Sequence, residues 1–229
     1  EAHKEIARVL EPGISEKVIQ EKIESAYRKF GCPDLCFPSI CGSGKNGTIL
    51  HYRENSMKIP PDSLIVCDIG AMVENYGTDI TRTYPTSGVF TPNQRKAYSA
   101  VLSALKEAEA ALKPGTTLLE LHWIAGNHMA KAGWKEWSFS HGKEASIRHG
   151  IGHFVGMTVH DSGGYRTVLA PGMVITLEPG WYDRDAGWGI RIEDIYLVTE
   201  KGFERLSSGA PREMKEIEAI FEERKELRR

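Results

Sequence analysis

The chain has 229 residues, 26% of them charged, and a formal net charge of −2. That balance excludes the basic footprint of a nucleic-acid binder and an acidic tail, which leaves small or peptidic partners. The length suits one core and one domain over 1–229, and no apolar run approaches the ~20 residues that cross a bilayer. The first residue is Glu1 rather than Met. Ala2 to Leu10 already reads as helix, so a preceding N-terminal segment or domain is expected in the natural protein. Cys32, Cys36, Cys41 and Cys67 fit no paired C-x-x-C zinc pattern, and reduced, mostly buried thiols of a cytoplasmic protein are the expectation.

Ser15 to Phe30 carries an N-cap serine and apolar residues at helical spacing, with Gly31 as its end. Phe37 to Gly44 and Thr48 to Tyr52 read as short extended segments joined by a glycine-rich turn. The stretch Gly42-Ser-Gly-Lys-Asn-Gly47 formally matches G-x-G-x-x-G but lacks the enclosing strand and helix and an acidic ribose partner, so it reads as a turn. Leu64 to Val73 and Thr78 to Tyr84 form a hairpin turning at 74–77. Two helices follow, from Thr91-Pro92 through Leu112 and from Thr117 to Ala132, separated by Pro114-Gly115. After a loop around 134–140 come strands at Met173 to Leu177 and Gly189 to Thr199, then a charged helix from Arg212 to Leu227. The class is α+β with antiparallel strands.

Five acid and histidine side chains stand in apolar or glycine-rich segments: Asp68, Asp79, His153, Glu178 and Glu193. Four carboxylates converging at such positions would repel one another and lose hydration; divalent cations remove the problem and create a hydrolytic centre. In a hairpin with an even loop, paired numbers sum to an odd value, so Asp68 and Asp79 share a face. Glu178 closes an apolar strand before Pro179-Gly180. Arg191 lies two residues before Glu193, on the same face, with Asp194 pointing the other way. His149, His153 and His160 cluster among glycines, and spacing alone does not say which is a ligand.

Val66-Cys-Asp-Ile-Gly-Ala71, Gly77-Thr-Asp-Ile-Thr-Arg-Thr83, His149-Gly-Ile-Gly-His153, Thr176-Leu-Glu-Pro-Gly180 and Gly189-Ile-Arg-Ile-Glu-Asp194 occur in order and spacing that resemble the pita-bread metallopeptidases. The resemblance spans nearly the whole chain. It implies a curved antiparallel sheet covered by helices. Within the family, Gly156-Met-Thr-Val-His-Asp161, Glu178-Pro-Gly-Trp-Tyr182 and the Arg191-Ile-Glu193 triplet look most like the aminopeptidase P branch.

The resemblance implies a dinuclear metallo-aminopeptidase that releases the first residue from peptides with proline second. Asp68, Asp79 and Glu193 hold one metal, and Asp79, His153, Glu178 and Glu193 hold or bridge to the other. Manganese is expected, with cobalt, zinc or iron as alternatives. Hydroxide bridging the metals attacks the carbonyl. Glu178 shuttles the proton, and His160 or His149 stabilises the oxyanion. His51, His160 and Tyr182 contact the substrate, with Phe154 and Val155 beside Tyr182 as apolar walls, and Arg191 orients the carboxylate ligands or, as the alternative, contacts the substrate. The alternatives are a prolidase-type Xaa-Pro dipeptidase, a methionine aminopeptidase, and a non-catalytic binding module of the same fold. A homo-oligomer is left open.

Overall fold

A computed structural model describes residues 1–32, 34–133 and 149–227; the loop expected at 134–140 lies outside them. Helices α1 (Ala2–Val9) and α2 (Glu16–Lys29) open the chain and pack on each other. The Ser15 side chain accepts from the Lys17 N–H at the start of α2, satisfying one of the donors a helix start leaves free. Strands β1 (Asp34–Leu35) and β2 (Ile40–Ser43) follow. The expected extended segment at Thr48 to Tyr52 is not one. Gly44–Thr48 is a 3-10 turn, closed by Thr48 Oγ1 on the Lys45 carbonyl at 2.8 Å and Ile49 N–H on the Asn46 carbonyl at 3.0 Å.

The hairpin consists of β3 (Leu64–Ile69), β4 (Ala71–Val73), β5 (Tyr76–Gly77) and β6 (Ile80–Pro85). Its turn is shorter than expected. Glu74 and Asn75 alone form it, with φ of 50° and 64°, as a two-residue turn that matches strand twist demands. Asp68 pairs with Thr81, Ile69 with Ile80 and Met72 with Gly77. One register therefore runs the length of the hairpin, and its odd sum puts Asp79 on the face of Asp68.

Helices α3 (Pro92–Ala111) and α4 (Leu118–Lys131) each begin with a complete capping box, Thr91 with Gln94 and Thr117 with Glu120, which satisfies two backbone donors reciprocally at each start. Strands β7 (Val174–Leu177), β8 (Gly180–Asp183), β9 (Trp188–Arg191), β10 (Asp194–Thr199) and β11 (Gly202–Arg205) precede α5 (Met214–Leu227). The single strand expected over Gly189 to Thr199 is broken at Ile192 and Glu193. There the N–H groups leave the ladder, that of Ile192 for the Pro179 carbonyl and that of Glu193 for the Thr81 carbonyl.

All strand pairings among the described residues are antiparallel, in sheets ordered β2-β3-β6, β11-β10-β7, β1-β4-β5 and β8-β9. α3 packs on α4 and against β7, β8 and β9, and one apolar cluster runs from Ile6 and Ile19 through Tyr84 and Leu105 to Phe221. Among the described residues no helix is long and apolar enough to cross a membrane. The four cysteines are free. Cys41 and Cys67 are buried, facing each other across β2 and β3, whereas Cys32 and Cys36 beside β1 are only half-buried, so the expectation of mostly buried thiols holds for two of them.

Candidate metal centre

Five segments meet at one cleft. Asp68 comes from β3, Asp79 from the entry to β6, Glu178 from the end of β7 and Glu193 from the break between β9 and β10. His153 arrives on a loop laid along β7. Thr176 N–H bonds the His153 carbonyl at 2.8 Å, and His153 N–H bonds Thr176 Oγ1 at 3.1 Å. A Cβ at position 152 would lie 2.0 Å from the Thr176 carbonyl oxygen; glycine there lets the backbones approach and brings His153 beside Glu178.

His153 Nε2 stands 3.4 Å from Asp79 Oδ2, 3.6 Å from Glu178 Oε1 and 3.9 Å from Glu193 Oε1. Its Nδ1 lies 3.2 Å from the Phe154 carbonyl. A carbonyl can only accept, so Nδ1 carries the proton and Nε2 turns its lone pair toward the acids. Donor atoms of Asp79, His153 and Glu193 all lie within 4.8 Å of one another. The spacing of the three histidines left the ligand open; the geometry sets His153 Nε2 within 4 Å of Asp79, Glu178 and Glu193 together, whereas His149 meets Glu178 alone, Nδ1 to Oε2 at 3.4 Å.

Asp68 and Asp79 are 8% and 5% exposed, and Glu193 is 1% exposed. Asp68 Oδ1, Asp79 Oδ1 and Glu193 Oε1 are buried without a hydrogen-bond partner. Burial, and then the charge of Glu193, push Asp79 and Glu178 well above the usual carboxylate range. Burial and the charge of Asp68 raise Glu193 to about 7. Crowded, unpartnered carboxylate oxygens around an imidazole are an anionic hole that divalent cations fill, and the donor set fits them.

A second chain of bonds backs this set. Arg191 Nη2 donates to Asp68 Oδ2 at 2.7 Å, its Nε to Thr81 Oγ1 at 3.1 Å and its Nη1 to the Tyr182 hydroxyl at 3.0 Å. Thr81 in turn donates to Glu193 Oε2 at 2.8 Å. Sequence reasoning passed over Thr81, although the parity that set the two aspartates on one face puts it on that face too; the register places it opposite Asp68. Burial, with the nearby Arg191 charge, lowers His149 to about 3. The neutral ring donates from Nδ1 to the Gly150 carbonyl at 2.8 Å and accepts the Tyr182 hydroxyl on Nε2 at 2.8 Å.

A cavity of about 230 Å³ opens over the acids, lined by Leu50, His51, His149, His160 and Arg191 among others. His51 and His160 are exposed at its mouth, and the His160 ring meets His153 edge-on at 4.4 Å. Tyr182 is buried behind His149 and Arg191 and does not line this cavity. Phe154 and Val155, expected as its walls, are buried, and Phe154 belongs to the apolar core. Asp194 points away, as expected, into an ion pair with Arg82 at 2.5 Å.

Oxygen-rich donors around one imidazole in an α+β frame define a divalent-cation centre. Residues 1–200 match the profile of metallopeptidase family M24, and the chain belongs to that family. It is 34% identical over 241 residues to the Xaa-Pro aminopeptidase of Escherichia coli (strain K12), covering 96% of this chain and 55% of that protein. It is 37% identical over 201 residues to the Xaa-Pro dipeptidase of Pyrococcus horikoshii, covering 85% of this chain and 54% of that one. The solved structure of zinc-substituted E. coli aminopeptidase P in complex with product superposes with a TM-score of 0.90 at 34% identity, covering 97% of this chain and 56% of that chain. The fold is thus that of aminopeptidase P, the pita-bread fold. The chain spans about half the length of these relatives.

Proposed function

We propose that residues 1–229 form one catalytic domain of a dinuclear metallo-aminopeptidase releasing the N-terminal residue from short peptides with proline second. The observation that carries this reading is the convergence of Asp68, Asp79, His153, Glu178 and Glu193, with three carboxylate oxygens buried and unpartnered. Asp68, Asp79 and Glu193 would hold one cation, and Asp79, His153, Glu178 and Glu193 would hold the second. Manganese suits the oxygen-rich set, and cobalt, zinc or iron are accepted by the same donors. When bound, the two cations polarise a carbonyl and lower the pKa of water at the site.

The protein's own groups do the rest. Glu178 takes a proton from the attacking water and passes it to the proline nitrogen as the C–N bond breaks. His160, exposed at the mouth, donates to the oxyanion of the tetrahedral intermediate. His149 has both ring nitrogens committed, so it orders the pocket through Tyr182 instead. Arg191 fixes Asp68, and His51 lies beside the proline part of the substrate. A proline-directed cleft must accept a tertiary amide that has no N–H to donate.

The experiment is chelation followed by manganese add-back, assayed on an Xaa-Pro tripeptide and the matching Xaa-Pro dipeptide. Activity is expected to vanish with the metal, return with it, and favour the tripeptide. Turnover that survives complete metal removal would sink the reading. The second reading, a dipeptidase, rests on the similarity to Xaa-Pro dipeptidases, and a clear preference for the dipeptide would establish it.

A further inference from the structure

The stretch that formally matched a phosphate-binding loop, Gly42 to Gly47, takes part in something else. Glu16, the first residue of α2, is fully buried, and its carboxylate is met by hydrogen-bond donors on both oxygens. Oε1 accepts from the Ser43 N–H at 2.8 Å, from Ser43 Oγ at 2.7 Å and from Asn46 Nδ2 at 3.2 Å. Oε2 accepts from the Tyr52 hydroxyl at 2.9 Å and the Met57 N–H at 3.0 Å. No basic side chain of the described residues forms an ion pair with it. A buried carboxylate is tolerated when such donors and a helix N-terminus meet it.

Those partners bracket the segment that carries Leu50 and His51 into the cleft. Tyr52 follows His51 directly. On the other side the Ile49 N–H is bonded to the carbonyl of Asn46. The far wall is held too: a Cβ on residue 189 of β9 would lie 2.0 Å from the Gly47 carbonyl oxygen, so the turn packs directly against the strand that leads to Arg191.

We propose that Glu16 is a positioning residue for the cleft, a buried clamp that fixes the height and direction of His51 over the metal-ligand set through Tyr52. It touches neither substrate nor ligand and acts through His51. The proposal deepens the peptidase reading and rests on it for the role of His51, whereas the clamp itself is a matter of side-chain placement.

Two variants test it. Glu16→Gln puts an amide N–H₂ against donors, and Tyr52→Phe removes only the hydroxyl that links Glu16 to the residue after His51. Both should shift the imidazole NMR signals of His51 while leaving those of His153 in place, in metal-free protein. In the metal-loaded enzyme both should lower kcat/KM on an Xaa-Pro tripeptide about 10- to 100-fold, with manganese affinity by calorimetric titration unchanged. Placed in a His51→Ala background, neither should cost activity further. Unmoved His51 signals, additive losses with His51→Ala, or a matching loss of manganese affinity would each overturn the clamp. If Glu16→Gln does not fold, Tyr52→Phe decides alone. Absence of Xaa-Pro turnover by the parent enzyme would instead overturn the peptidase reading, with the NMR comparison still deciding the clamp.

Discussion

Glu193→Gln should stabilise the metal-free protein while abolishing its gain from metal. Glu193 is raised from 4.5 to about 7, first by burial and then by the charge of Asp68. Because its folded pKa lies above its unfolded one, the folded state binds the extra proton between those values. The penalty for holding it ionised is small below about 4.5 and complete above about 7. Linkage then gives a stabilisation of Glu193→Gln over the parent of about 1 kcal/mol at pH 5, rising to about 3 kcal/mol at pH 8. Comparing variant with parent at each pH cancels the contributions of the buried histidines, whose lowered pKa values work in the opposite direction. At roughly 2–4 °C per kcal/mol for a chain of this size, the upper figure is a rise of about 6–12 °C in Tm. Calorimetry of chelator-treated protein at pH 5 and pH 8 measures it. Added manganese should raise Tm of the parent and barely move that of the variant. A metal-free variant no more stable than the parent at pH 8 would refute the claim that these carboxylates are held against their own repulsion.

Two other substitutions probe the bonds behind the site. Tyr182→Phe removes the donor to His149 Nε2 and an acceptor of Arg191, so urea titration should show a loss of about 1–3 kcal/mol; unchanged stability would deny the bond. Arg82, fully buried, donates to Asp194, to the carbonyl of Glu193 and to that of Thr81. Arg82→Met breaks that pair and should cost about 3–5 kcal/mol and weaken manganese binding, because the backbone carrying Glu193 is no longer held; a loss below about 1 kcal/mol would contradict this.

Much of this site could be read from local pattern. Strand parity is a property of the backbone, and it put Asp68 and Asp79 on one face and turned Asp194 away before any contact was known. The caps at Ser15, Thr91 and Thr117 were equally legible, since a helix start satisfies its donors with neighbours in sequence. The strand break at Ile192 was not, because the bonds that divert it come from Pro179 and Thr81, the latter more than a hundred residues away.

What the amino-acid sequence by itself determined is therefore the inventory and facing of the acids, the helix boundaries and the α+β class. Periodicity and capping act over a few residues, and burying charge in apolar strands already demands a counter-ion. Only the tertiary structure decided that His153 joins the acids while His149 bonds Tyr182, that Tyr182 and Phe154 sit behind the cavity rather than in it, and that Glu16 grips both ends of the segment bearing His51. Those outcomes depend on which distant loops pack together, and long-range packing leaves no period in a sequence.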